Sequence, residues 1–178
     1  MFIEMHGYFF DNRSVDLHIK KEVEMKSYFK ISGLILCMTL FTACSGRKPD
    51  NIGLTEGHLA PCPARPNCVI SQNGDDAHSI APIAYSVSRD EAFRILKKII
   101  GSQKRAAVID EKDNYLYAEF RSGIMRFADD TEFYFPENRP VIHVRSASRL
   151  GYSDMGVNRK RVENIRLLFQ AGESSESR

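Results

Sequence analysis

No apolar run in this sequence is long enough to cross a membrane comfortably as a helix. A spanning helix needs about 20 mostly apolar residues. The apolar run from Ile31 to Phe41 is only about half that length. From Cys44 onward the chain has no further run of membrane length. We therefore expect the protein to be attached to a bilayer and not to pass through it.

The sequence also lacks a strong excess of charge of either sign. The chain has 25 Lys and Arg against 23 Asp and Glu, and the part from Cys44 onward is equally close to neutral. It contains no basic tail and no RNA-binding motif. Nucleic acid is therefore not a predicted partner.

Motifs that would indicate catalysis are missing as well. The sequence has no phosphate-binding glycine loop and no cluster with metal-ligand spacing, and no glycine-framed elbow surrounds Ser146 or Ser148. His143 is the only histidine in the predicted folded strands, and a lone strand histidine is more often structural than a base. Asp129 and Asp130 are adjacent in a strand and point to opposite faces, which is a poor arrangement for shared acid–base chemistry. We assign no catalytic residue, metal or cofactor.

The most informative segment that is present runs from Met25 to Cys44. Lys26 and Lys30 form a short basic region before the apolar run, and the small residues Thr42 and Ala43 then lead to the cysteine. This order is typical of a bacterial secretory signal. It resembles a lipoprotein signal peptide over 25–43, although Phe41 departs from the usual aliphatic residue. An uncleaved short membrane anchor is the alternative.

The prediction assigns a role to each part of the chain. Residues 1–24 carry five acidic side chains, unusual in an export signal, and suggest a start codon chosen too early or a genuine extension. Acylation of Cys44 would make it the first mature residue and place the protein in the bacterial cell envelope, facing the periplasm, with the outer membrane as one destination. Further predictions are a flexible tether over 44–60, one domain over 61–171, and a disordered tail over 172–178.

Two cysteines remain in the predicted domain, Cys62 and Cys68, in a proline-rich segment. In an oxidising envelope, two cysteines that are close in sequence and otherwise alone are most simply a disulfide. A metal site would need further ligands near by, and redox pairs usually have two intervening residues instead of five. The disulfide is the favoured interpretation, with metal-binding or redox-active thiols as alternatives.

The remaining pattern predicts an α+β fold: a four-stranded antiparallel meander packed by two helices. Ser88 and Glu91 form a capping box for a first helix that stops at Gly101. The second helix is predicted from about Met155 to Gln170, with Asp154 as its cap. Short gaps between the strands leave no room for crossover helices. The four strands and an additional edge strand are predicted at 106–110, 115–121, 127–135, 141–149 and 79–86.

Several segments resemble the domain of unknown function 1499 family of bacterial and plastid proteins, and the chain looks like a lipoprotein member of it. The resemblance covers roughly residues 58–170 and implies a shared fold, but it implies no activity. The matching segments are Pro61–Pro63, Pro66–Val69, Phe127–Phe133, Arg145–Asp154 and Gly156–Glu163.

Polar and charged residues concentrate in the last two predicted strands and the start of the last helix. A five-residue connection at 136–140 predicts a register in which Thr131 faces Arg145 and Asp129 faces Ala147. In that register Asp129, Arg145 and Arg149 share one face of the sheet. The other face is expected to carry Asp130, Glu132, Ser146 and Ser148.

Two interpretations of these residues compete. In the first, the carboxylates pair internally with the arginines and fix the last helix against the sheet. In the second, arginines and serine hydroxyls bind an anionic small molecule or lipid headgroup, since guanidinium presents a bidentate fork. The carboxylates are Asp129, Asp130 and Glu132, and the proposed ligand-binding residues are Arg145, Ser146, Ser148, Arg149, Arg159 and Arg161.

The sequence thus favours a non-enzymatic binding or envelope-maintenance module anchored through Cys44. One alternative is an enzyme acting on an anionic envelope metabolite, and another is a purely structural partner of a second, unidentified envelope protein. Arginines that converge on an open cavity would favour ligand binding. The same arginines buried against carboxylates would favour a structural role.

Overall fold

The computed structural model describes residues 46–176, so the predictions for 1–24, for the signal segment 25–43 and for Cys44 lie outside the described residues. Within this range the fold is α+β, as expected. Its two helices are α1 (Arg89–Ser102) and α2 (Val157–Glu176). Its strands are β1 (Leu54–Thr55), β2 (His58–Leu59), β3 (Cys68–Ile70), β4 (Ile83–Ala84), β5 (Ala106–Lys112), β6 (Tyr115–Arg121), β7 (Ala128–Tyr134) and β8 (Val141–Ser148).

The main sheet has six strands and not four. β5 to β8 form the predicted antiparallel meander, but β3 continues the sheet on the free edge of β8, giving the order β3-β8-β7-β6-β5. β4, within the segment predicted as an edge strand, also pairs with β8. β3 was missed because the proline-rich segment around the two cysteines predicts an irregular loop and not a strand.

Both helices pack on one face of this sheet. Ser88 caps α1 by accepting a hydrogen bond from the backbone N of Glu91 at 3.2 Å. Asp154 caps α2, where its Oδ2 accepts from the backbone N of Asn158 at 2.7 Å. Within residues 46–176, no helix combines the length and apolar character needed to cross a bilayer.

The main core lies between the helices and this face of the sheet. α1 contributes Leu96 and Ile100, and α2 contributes Val162, Ile165 and Phe169, all buried. Leu168 of α2 points away from this core and is exposed. The sheet residues beneath the helices are Leu116, Ala118, Phe120, Phe133, Phe135, Ile142 and Val144.

The opposite face of the sheet is covered by the β1–β2 hairpin, which corrects the predicted tether over 44–60. Leu59 of this hairpin is buried in a second apolar cluster with Ile70, Tyr115 and Tyr117. The aromatic rings of β6 supply the apolar surface that orders the hairpin. Strand structure within the predicted tether is limited to β1 and β2 among the described residues.

The predicted disordered tail over 172–178 is also corrected. α2 continues to Glu176, six residues beyond its predicted end. Glu173 accepts hydrogen bonds from the Ser86 hydroxyl at 2.9 Å and from the backbone N of Val87 at 3.1 Å. These bonds tie the last turns of α2 to the segment before α1. Residues 177 and 178 lie outside the described range.

The disulfide prediction is confirmed. Cys62 and Cys68 are bonded to each other, with their Cα atoms 5.7 Å apart. Cys68 is the first residue of β3 and lies opposite Ala147 of β8. The bridge therefore joins the proline-rich loop directly to the edge of the main sheet.

The predicted register between β7 and β8 is wrong by one residue. Glu132, and not Thr131, lies opposite Arg145, and Asp130, and not Asp129, lies opposite Ala147. A slip of one residue moves a strand's side chains to the other face relative to its neighbour. The charged residues are consequently sorted into two groups, one on each face of the sheet, that differ from the expected ones.

Candidate functional site

A network of buried charges lies on the face of the sheet opposite the helices. We call it the charged cluster, and its members come from β6, β7, β8 and the residue that follows β8. Side chains at alternate strand positions share a face, which brings these residues together. The members are Tyr115, Tyr117, Glu119, Asp130, Glu132, Arg145 and Arg149.

The innermost ion pair of the charged cluster joins Glu132 and Arg145. Arg145 Nη1 donates to Glu132 Oε2 at 3.0 Å, and both side chains are almost completely buried. Glu132 Oε1 also accepts from the Tyr115 hydroxyl at 2.8 Å and from the backbone N of Gly53 at 2.8 Å. The carboxylate therefore holds the segment before β1 as well as the arginine.

Arg149 holds two carboxylates at once. Its Nη2 lies 2.7 Å from Asp130 Oδ1 and 2.5 Å from Glu119 Oε2, and its Nε donates to Asp130 Oδ2 at 3.0 Å. Hydrogen bonds to Asp130 raise the pKa of Arg149 above its ordinary value. Glu119 has a second partner in Arg121, at 2.6 Å. Arginine and carboxylate charges in this region are thereby balanced.

Two tyrosine hydroxyls complete the charged cluster. Tyr117 donates to Asp130 Oδ1 at 2.5 Å and accepts from Arg149 Nη2 at 3.1 Å. Burial, reinforced by the neighbouring carboxylates, raises the pKa of both Tyr115 and Tyr117. Both phenols consequently stay protonated and act as donors at neutral pH.

A second polar group lies on the other face, beneath α2, and we call it the helix-side cluster. Arg161 forms an ion pair with Asp129 and donates to the Ser146 hydroxyl at 3.1 Å. The guanidinium also lies over the ring of Phe120, 4.7 Å from its centre. The expectation that Asp129 shares a face with Arg145 and Arg149 is therefore wrong, because the register places it beneath α2.

Asn158 connects the helix-side cluster to the disulfide-bonded loop. Its Oδ1 accepts from the Ser146 hydroxyl at 2.6 Å, and its Nδ2 donates to the Ser148 hydroxyl at 2.9 Å. The same amide donates to the backbone oxygen of Asn67 at 3.0 Å. Thr131 adds a hydroxyl contact to Ser146 at 2.9 Å. These bonds link α2, β7, β8 and the loop before β3.

Arg159 belongs to neither cluster. Its Nη1 and Nη2 donate to the backbone oxygens of Ser79 at 2.8 Å and Ala77 at 3.1 Å. The prediction that it pairs with a carboxylate of the network is therefore not met. The arginines predicted together divide into Arg145 and Arg149 on one face of the sheet and Arg161 on the other.

A cavity of about 340 Å³ lies beside the charged cluster, under the disulfide-bonded loop. Three of the six predicted ligand-binding residues line it: Arg145, Ser148 and Arg149. Asp130 also lines it, together with prolines of the loop. Arg145 Nε is buried without a hydrogen-bond partner. Ser146, Arg159 and Arg161 do not line this cavity.

His143 contacts the hydroxyl of a serine in the segment after β3. The Ser71 hydroxyl lies 3.2 Å from His143 Nδ1, but the same oxygen accepts from the backbone N of Val144 at 2.8 Å. Burial lowers the pKa of His143. The imidazole stacks on Tyr134, with ring centres 6.3 Å apart. Both polar side chains therefore serve the contact between β8 and the segment after β3.

Sequence reasoning missed Tyr115, Tyr117 and Glu119, which supply three oxygens to the charged cluster. Their spacing at alternate positions of β6 was a usable signal, because it puts all three on one face. Asn158 lies within the matching segment Gly156–Glu163, but nothing in the pattern pointed to its central position. Among residues 46–176, no group of three or more His, Cys, Asp or Glu side chains is placed to hold a metal ion.

Residues 58–169 match the sequence profile of a family described as a protein of unknown function, DUF1499. The chain belongs to the DUF1499 family. The matched range contains both clusters and the disulfide, and it agrees with the resemblance noted from the sequence. Comparison of this DUF1499 protein with curated proteins and with solved structures produced no match.

Proposed function

We propose that this DUF1499 protein is a lipid-anchored, non-enzymatic module of the bacterial cell envelope, for binding or envelope maintenance, whose buried arginines have a structural role. The signal-like segment before Cys44 supports the anchor. The Cys62–Cys68 bridge suits an oxidising compartment, in which disulfides persist.

One observation carries the non-enzymatic part of the proposal: three of the arginines are held by carboxylates within the fold. Arg145 is paired with Glu132, Arg149 with Asp130 and Glu119, and Arg161 with Asp129. Each buried charge is compensated by its partner, and removing one partner would leave the other charge buried and unpaired. Arginines that are buried against carboxylates, and do not converge on an open cavity, favour a structural role over ligand binding.

The experiment that tests this role is thermal and chemical unfolding of Arg145→Met. Methionine keeps much of the apolar volume but leaves Glu132 as an unpaired buried charge. We expect a loss of about 3–5 kcal/mol in the free energy of unfolding. A variant with wild-type stability would contradict the structural role.

A small anionic group bound in the cavity is a second candidate function. Its support is the cavity lined by Arg145, Ser148 and Arg149, together with the donor of Arg145 that lacks a partner. Repeating the unfolding of wild type and Arg145→Met with inorganic phosphate tests it. A phosphate-dependent rise in melting temperature that is present in wild type and lost in the variant would support anion binding.

The anchor has its own test in mass spectrometry of protein taken from the envelope. We expect an acylated peptide that begins at Cys44, and we expect Cys44→Ala to lose acyl-dependent retention on the membrane. An intact peptide from Met25 to Cys44 on the mature protein would disprove the anchor.

A further inference from the structure

Exposed apolar side chains concentrate at one end of the sheet. Of the ten large apolar side chains exposed within residues 46–176, seven lie in two segments, 122–127 and 149–157. We call these two segments the apolar rim. Ile124 is 95% exposed and Met155 is 88% exposed. The other five are Met125, Phe127, Leu150, Tyr152 and Val157.

The two segments of the apolar rim are neighbours in space. The backbone N of Arg149 donates to the backbone oxygen of Ala128 at 3.1 Å. This bond joins the start of the second segment to the residue that follows the first. A groove of about 230 Å³ lies between them, with apolar walls formed by Phe127, Leu150, Met155 and Val157. The two segments therefore form one surface, on which four of the seven exposed side chains line a common groove.

Hydrogen bonds within each segment of the rim order its backbone. Ser122 and Phe127 exchange two bonds of 2.9 Å, one between backbone groups and one from the backbone N of Phe127 to the Ser122 hydroxyl. In the second segment, Asp154 Oδ1 accepts from the backbone N of Gly156 at 2.9 Å. Contiguous apolar surface that stays exposed on an ordered framework marks an interaction site.

The chain enters the described structure beside the same surface. Gly46 has a positive φ of 68° and packs so closely on Arg149 and Leu150 that an added Cβ would lie 3.0 Å from Arg149 Cβ and 3.1 Å from Leu150 Cγ. Cys44 precedes Gly46 by two residues, and two trans peptide units span at most about 7.6 Å between Cα atoms. An acylated Cys44 would consequently bring the bilayer to the apolar rim.

We propose that the apolar rim docks on the lipid bilayer into which the acyl chains of Cys44 insert. This inference rests on the proposed anchor at Cys44. Tyr152 suits the interfacial layer, where an amphipathic ring has one apolar and one hydrated side. Two exposed arginines, Arg105 and Arg126, lie at the first segment and can face anionic headgroups. Docking would fix the orientation of the domain on the membrane and keep the β5–β6 turn away from it.

The test uses the full-length acylated protein reconstituted in vesicles of phosphatidylethanolamine and phosphatidylglycerol at a 3:1 ratio. Met155→Cys introduces a thiol for an environment-sensitive fluorophore, since Cys62 and Cys68 are bridged. Ile124→Cys provides a second position in the rim, in case one substitution disturbs folding. Asp113→Cys, on the exposed turn at the other end of the sheet, is the matched control.

We expect the fluorescence emission of the rim probes to rise several-fold on vesicles and to be quenched by brominated lipids. The emission of the Asp113→Cys probe should stay that of a fluorophore in water. Rim probes that remain water-like on a protein shown to be acylated would overturn docking alone. Rim probes that brighten without quenching by brominated lipids would indicate a covering protein segment or second copy and would also overturn it. An unacylated Cys44 in the mass spectrum would overturn the anchor and the docking together.

Discussion

Glu132 lies directly opposite Arg145 across β7 and β8, and the two almost completely buried side chains form an ion pair on the face of the sheet away from the helices. The pair is also the point at which the segment before β1 is held, through the backbone N of Gly53. One cross-strand contact thus joins the centre of the sheet to the chain that leads back toward Cys44.

A double-mutant cycle on this pair should show strong coupling. We expect Arg145→Met and Glu132→Gln each to lower the free energy of unfolding by about 3–5 kcal/mol, because each leaves one buried charge alone. The double variant should lose less than the sum of the two, by about 0.5–3 kcal/mol. Chemical denaturation of all four proteins measures the coupling, and strictly additive losses would contradict a direct interaction.

Arg149 and Arg159 offer a matched comparison of an arginine with a buried side chain and a half-buried arginine. Arg149→Met leaves Asp130 and Glu119 without their shared partner, and we expect a loss of about 3–5 kcal/mol in the free energy of unfolding. Arg159→Met removes only exposed hydrogen bonds to backbone oxygens, and we expect a loss within about 1 kcal/mol. Both losses are measured by urea denaturation. Equal losses would contradict the expectation that the charged cluster stabilises the fold more than the hydrogen bonds of Arg159 do.

The disulfide should stabilise the fold modestly. Its loop is short, so the loop-entropy model gives a contribution of about 2 kcal/mol, lowered to the extent that the prolines already stiffen the unfolded loop. We expect the double variant Cys62→Ser, Cys68→Ser to unfold at a lower denaturant concentration and to keep its secondary structure. Thiol labelling of the denatured, unreduced wild type should modify neither cysteine, and quantitative labelling of both would refute the bridge in the protein.

Two buried histidines should give opposite dependences of stability on pH. The Arg65 backbone oxygen, which lies 3.1 Å from His78 Nε2, and then the Asp75 carboxylate raise the pKa of His78. The stability that His78 contributes to the fold is fully present below the unfolded pKa of about 6.5. It is lost as the pH rises through the higher pKa of His78 in the folded state. Burial lowers the pKa of His143, so its contribution is present above about pH 6.5 and is lost as the pH falls through the lower folded pKa.

Replacing each histidine with glutamine separates these contributions. Relative to wild type, we expect His78→Gln to be more destabilising at acidic than at neutral-to-basic pH, and His143→Gln to show the reverse. Denaturation at a series of pH values from about 5 to 8 covers the window around the unfolded histidine pKa. If both variants changed in the same direction with pH, one of the two assignments would be wrong.

The helices and the four strands of the meander could be predicted because their signals are local. The capping pair Ser88 and Glu91 and the apolar spacing of α1 depend only on residues within a few turns of each other. β6 was predicted with its observed bounds, since its aromatic and apolar residues are framed by polar turns. The hairpin β1–β2 was missed because its two short strands are ordered by Tyr115 and Tyr117, which lie far away in sequence.

The register of β7 on β8 could not be predicted from alternation. Both strands carry charged or hydroxyl side chains on both faces, so a shift of one residue does not expose an obviously apolar face to water. The connection at 136–140 sets the register between the two strands. Its length alone does not determine its backbone conformation, so the register could not be predicted from it. That one residue decides whether Arg145 faces Glu132 or Thr131, and whether Asp129 lies beneath α2 or beside Arg149.

Short-range chemistry in the sequence was enough to predict the helix caps and the four strands of the meander and to favour the pairing of Cys62 with Cys68, because each depends on neighbours along the chain. The tertiary structure alone decided which arginine holds which carboxylate, since these partners come from strands and loops whose register is set by packing. It also decided that the segments 122–127 and 149–157, twenty or more residues apart, form one apolar surface beside Gly46. Such proximity follows from the order of strands in the sheet, which no local pattern specifies.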